Sequence, residues 1–172
     1  EYELMNCAHD GASNYTIFEE FCKNSNQIKK DDVVIFGWSE VSRFRLVTST
    51  GWHTMGMWCM DNPKVVEDIT YISHQSVTEI LLHRNDNLDF YLDEVHNWIK
   101  LIKQLSNLNG FKLYNWSFFS DFPEMYIIDD VLDFGAKYIS HETNGYVDDQ
   151  HFGELGHQMQ AQYFENIINK IK

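Results

Sequence analysis

Six residues, Val33–Trp38 (VVIFGW), restrict the architecture more than any others. A near-continuous apolar run of that length, preceded by the solvated residues 27–32 (QIKKDD), suits a strand covered on both faces, as parallel strands are. Upstream, Ile17, Phe18, Phe21 and Cys22 fall on one face of a helix. Asn14 or Thr16 can cap it, because a short oxygen-bearing side chain accepts the free N–H groups of a first turn. Ahead of that helix, residues 2 to 8 read as a short strand running into the turn-rich residues 9 to 14 (HDGASN). Strand, helix, strand is a βαβ unit, and it implies a parallel sheet in an α/β domain.

From residue 39 to about residue 76 the pattern is irregular and rich in Trp and Met (Trp52, Met55, Met57, Trp58, Met60). That stretch is expected to run over the sheet edge or the active-site face, and it either lines an acyl or sugar pocket or packs as core or lid. Residues 86 to 108 form the clearest helix, with Leu88, Tyr91, Leu92, Val95, Trp98, Ile99, Ile102 and Leu105 at helical spacing and Gly110 placed to end it. Residues 111 to 119 read as a further strand, and an amphipathic helix from about residue 153 closes a single domain spanning 1–172.

With 13 Lys+Arg against 26 Asp+Glu the net charge is −13, so nucleic acid is an unexpected partner. No apolar run approaches the ~18 residues of a membrane span, and no membrane partner is expected. Cys7, Cys22 and Cys59 are an odd, scattered set, which favours reduced thiols and a cytoplasmic or virion-associated setting. Because residue 1 is Glu and the chain enters structure at once, a removed leader leaves secretion open. His53, His74, His83, His96 and His141 lack the paired spacings of zinc sites, so no metal is expected. Arg43 either pairs with Glu40 or Asp148 or holds a substrate carboxylate or phosphate.

The chemistry concentrates at residues 148–157 (DDQHFGELGH), just before the last helix. An Asp three residues before a His on one loop lets the carboxylate fix the tautomer of the imidazole and stabilise the imidazolium it becomes on taking a hydroxyl proton. Asp148 and His151 are thus the orienter and base half of a triad. This block, with Gly156 and His157, resembles the last block of the SGNH/GDSL hydrolase family of esterases. Residues 6–14 (NCAHDGASN) resemble that family's second block, and residues 31–40 (DDVVIFGWSE) stand where its third block does, so the three blocks occur in family order.

The resemblance implies a flavodoxin-like three-layer α/β/α sandwich and a serine ester hydrolase without cofactors, acting on a small-molecule or glycan ester, with carbohydrate O-acetyl groups as the substrate class. It implies that Gly11 donates a backbone N–H to the oxyanion, helped by Ser39 and Asn14. Ser39 stands where the family carries Asn. The block supplying the nucleophile, a G-D-S turn, belongs upstream of residue 1, so the sandwich is expected to lack its first strand here. About 30 to 50 residues are expected to precede Glu1, or to associate as a separate N-terminal fragment of the same gene product, from the size of a strand-helix unit. Ser13 is the alternative nucleophile, although a serine in that turn more naturally bonds the turn itself. The rival reading is a non-catalytic glycan-binding or virion-associated module that keeps the fold.

Overall fold

The computed structural model describes residues 3–9, 11–49, 51–61, 63–64, 66, 72–117, 131–132 and 154–170. Along them run α1 (Asn14–Asn24), β1 (Val33–Trp38), β2 (Phe44–Thr48), β3 (Gly51–Met55), α2 (His74–Asp86), α3 (Leu88–Asn109), β4 (Lys112–Ser117), β5 (Val131–Leu132) and α4 (Glu154–Lys170). Helices accompany a small sheet of order β1-β4-β5, in which β4 and β5 run parallel with Asn115 opposite Val131. The chain is therefore mixed α/β. Its contacts divide it into two units, Glu1–Asp32 with Trp38–Phe111, and Val33–Gly37 with Lys112–Lys172.

In the first unit β2 and β3 form an antiparallel hairpin whose register runs from Phe44 opposite Met55 to Thr48 opposite Gly51. Met55 and Cys59 then join Val66, Val77 and Leu81 in a buried cluster, with Phe44, Leu46, Met57, Met60 and Ile72 packed on it. The Trp/Met-rich stretch is therefore a hairpin leading into core, not an irregular excursion. Phe44 and Leu46 alternate with Arg45 and the exposed Val47, so the period of two is present but short and interrupted by polar residues. α2 was not expected either. Its buried residues are Val77 and Leu81, one turn apart, too few to stand out in a polar helix. Its start is capped by Ser73, whose Oγ accepts from the Ser76 N–H.

α3 follows the expected spacing, burying Val95, Ile99, Ile102 and Ser106 along one stripe. Gly110 ends it in the left-handed region at φ 78, its N–H bonded to the Ser106 carbonyl at 2.7 Å. A Cβ at Gly110 would stand 3.0 Å from Lys30 Cγ. Gly110→Ala is expected to cost about 1 kcal/mol in urea unfolding, from the left-handed backbone and this contact together. An unchanged midpoint would mean that the helix end is not held as described.

Two expectations fail at the N-terminal side. Residues 3–9 form no strand: Leu4 and Met5 are exposed, and the Ala8 N–H goes to Asn6 Oδ1 rather than to a ladder partner. The expected βαβ unit therefore lacks its opening strand among the described residues. In the second unit β1 buries Phe36 but leaves Ile35 37% exposed, so it is not covered on both faces as expected. An edge position in the described sheet accounts for this, since an edge strand need bury only alternate side chains. Within the same unit a Cβ on Gly37 would meet the Trp116 ring at 2.9 Å, and that ring stands edge-on to Phe164 of α4. A bare backbone at residue 37 is what admits the indole.

Candidate functional site

The loop into α1 is built from small residues with separate tasks. Gly11 lies in the left-handed region at φ 63 and is exposed, which lets the chain turn without a side-chain clash. Ser13, rather than Asn14 or Thr16, is the N-cap. Its Oγ accepts from the Thr16 N–H at 3.4 Å and shares a hydrogen bond with Thr16 Oγ1 at 3.2 Å, fully buried. The described role of this hydroxyl is to satisfy the first turn. Ser13→Ala is expected to cost about 1 kcal/mol in chemical denaturation, the usual worth of a cap. A loss below a few tenths would show that the cap does not form in solution.

Asn14 is freed from capping and reaches across the chain. Its Nδ2 donates to the Ser39 carbonyl at 2.9 Å while its Oδ1 accepts from the Ser39 N–H at 2.7 Å, a two-way pairing over 25 residues of sequence. Asn14 is 4% exposed and Ser39 is half-buried, so the pair is partly shielded from competing water. The two segments that carry Gly11 and Ser39 are thereby fastened together. The carboxamide has spent a donor and its acceptor on this link, so Asn14 acts in positioning Ser39.

Just beyond Ser39 the chain turns beside a cleft of about 290 Å³ lined by Asn14, Tyr15, Arg43, Arg45, Arg84, Tyr91, Glu94 and Trp98 among others. Arg84 holds the turn in place, donating from Nε to the Ser42 carbonyl at 3.1 Å and from Nη2 to those of Val41 at 3.2 Å and Arg43 at 3.4 Å. Its guanidinium lies 3.6 Å over the Tyr91 ring, and burial draws its pKa below the usual arginine range. Arg45 donates to Glu19 at 2.6 Å and lies 4.4 Å over Tyr15. That hydrogen bond is the main reason the Glu19 carboxyl sits below its ordinary pKa. Arg43 pairs with Glu40, as one of the sequence alternatives has it, but loosely at 3.8 Å, while Glu40 accepts a short hydrogen bond from the buried Ser42 hydroxyl.

Asp148 and His151 lie outside the described residues, as does His141. Gly156 and His157 fall within α4. His74 Nε2 stands 3.0 Å from the carbonyls of Cys59 and Met60, a structural use of the ring. Cys7, Cys22 and Cys59 are free thiols, and burial pushes the thiol pKa of Cys59 up. Among the described residues, no group of three or more His, Cys, Asp or Glu converges as metal ligands would, and no helix is long and apolar enough to cross a membrane. Sequence reading singled out Arg43 for a binding role but not Arg45 or Arg84, and placed Tyr91 and Trp98 only on a helix face; the packing of α1, β2, α2 and α3 brings them together. No family model, curated protein or solved structure matches the chain.

Proposed function

We propose that this chain supplies the oxyanion and base elements of a serine ester hydrolase of the SGNH type, with carbohydrate O-acetyl esters as its substrate class. One observation carries the reading: the reciprocal Asn14–Ser39 hydrogen bonds fasten the segment resembling the family's second block to the one standing at its third. An oxyanion loop needs that kind of support, because its donors stabilise charge only if they are held before it develops. The exposed left-handed Gly11 and the small parallel sheet are in keeping with it. In this reading the described elements belong to a flavodoxin-like α/β/α sandwich.

The chemistry runs in two steps. A serine hydroxyl, from a G-D-S turn N-terminal to Glu1, adds to the ester carbonyl as His151 takes its proton, with Asp148 holding the imidazole. The carbonyl oxygen becomes an oxyanion facing the Gly11 N–H and Ser39. Collapse expels the sugar hydroxyl, which receives the proton from His151, and water then hydrolyses the acyl-serine to acetate by the same route. Acetate release from acetylated glycans by the native gene product is the test. Turnover indifferent to a chelator is expected, whereas turnover abolished by a chelator would point to metal-bound water instead.

A further inference from the structure

Three of the 13 basic residues in the sequence are arginines, and all three, Arg43, Arg45 and Arg84, line the cleft beside α1. In a chain of net charge −13 this gathers the whole supply of planar, fork-shaped donors at one place. Two of them have their work assigned: Arg84 grips three carbonyls of the 41–43 turn, and Arg45 is held by Glu19 and Tyr15. Arg43 differs. Among the described residues its Nε is buried without a hydrogen-bond partner, and its ion partner Glu40, 3.8 Å away, is also engaged by the Ser42 hydroxyl. The Nε is closed off from solvent toward Glu40, but the Arg43 side chain is 25% exposed and lines the cleft, so an acceptor in the cleft can reach the guanidinium edge.

We propose that this cleft binds a small ring-shaped molecule bearing one oxyanion group, a carboxylate or a sulfate ester, with that group on Arg43. The acids around the site set the charge of the ligand. Glu19, Glu40 and Glu94 stand beside the three arginines, which leaves room for a single negative charge and disfavours a dianion. About 290 Å³ admits one ring with its substituents but not an extended chain, being at the small end of ligand sites. Tyr91, with Arg84 over one face, and Trp98, stacked on Phe18, stand in the lining as aromatic neighbours for such a ring. The site stands apart from the hydrolase reading, because binding is measured without turnover.

Isothermal titration calorimetry of the intact chain with glucuronate, glucose 6-sulfate and glucose tests it. Both anionic sugars are expected to bind, glucose at least about tenfold more weakly, and the stronger of the two anions identifies the group preferred. Arg43→Gln is expected to weaken both anions by about tenfold or more. Glu40→Gln, which removes the competing carboxylate, should strengthen them, a gain that a purely structural Arg43 would not produce. If Arg43→Gln fails to fold, the Glu40→Gln gain decides alone. Glucose binding as well as the anions, no binding of either anion at millimolar concentration, or affinities unmoved by both substitutions would overturn the proposal.

Discussion

Asn14→Ala is expected to destabilise the protein by roughly 1 to 3 kcal/mol, because it removes both hydrogen bonds to the half-buried Ser39 backbone at once. The carboxamide meets both the N–H and the carbonyl of Ser39, and nothing in an alanine replaces either bond. A fully buried orphan costs about 1 to 3 kcal/mol, and the half-buried Ser39 groups cost less than that each. In a chain of 172 residues that corresponds to a fall in Tm of several degrees. Tryptophan fluorescence is a suitable monitor, since Trp38, 1% exposed, directly precedes Ser39. Asn14→Asp should be at least as harmful: it keeps an acceptor but sets a carboxylate against the Ser39 carbonyl. A loss below about 1 kcal/mol for the alanine variant would mean that the two segments are not joined in solution.

His151→Ala is expected to have the largest effect on activity, lowering kcat for acetyl-ester hydrolysis by about 10³-fold or more. In the proposed mechanism the imidazole takes the serine proton and returns one to the departing hydroxyl, so its loss removes both transfers. Asp148→Asn should lower kcat by a comparable factor through the wrong imidazole tautomer, with KM much less affected. The combined variant should be scarcely worse than His151→Ala alone, because residues that act as one unit are not additive. Equal kcat values for the wild type and His151→Ala would remove this residue from the mechanism, and no turnover by either would favour the non-catalytic module.

Which features could be read in advance follows from the range of the forces involved. α3 and its stop at Gly110 were legible because a helix is specified locally: four buried positions recur every three or four residues, and a glycine supplies the left-handed exit. β1 was legible as an apolar run, and β4 lies within the strand read at residues 111 to 119. The β2–β3 hairpin was not, because Arg45, Thr48, His53 and Thr54 dilute its alternation. The reading of residues 2 to 8 as a strand failed for a related reason, since a short apolar run becomes a strand only if a neighbour accepts its hydrogen bonds.

The candidate site divides in the same way. Local chemistry pointed to capping at the start of α1 by Asn14 or Thr16, yet Ser13 beside them is also a cap-forming type, and geometry selects it. That choice releases Asn14 for a bond to a residue 25 positions away, which no local pattern announces. The arginine cleft is wholly a product of tertiary packing, as Arg84 comes from α2 about 40 residues beyond Arg43 and Arg45. The composition held a hint: three arginines among 13 basic residues are few enough that their meeting in one place is informative.

The central claim, nucleophilic hydrolysis by a serine with His151 as base, is tested most directly by labelling the native gene product with a fluorophosphonate and locating the modified peptide by mass spectrometry. The account predicts one label per chain, on a serine N-terminal to Gly11, formed in step with loss of esterase activity and no longer formed in His151→Ala. A label on Ser13, or ester hydrolysis that continues with no serine modified, would contradict it.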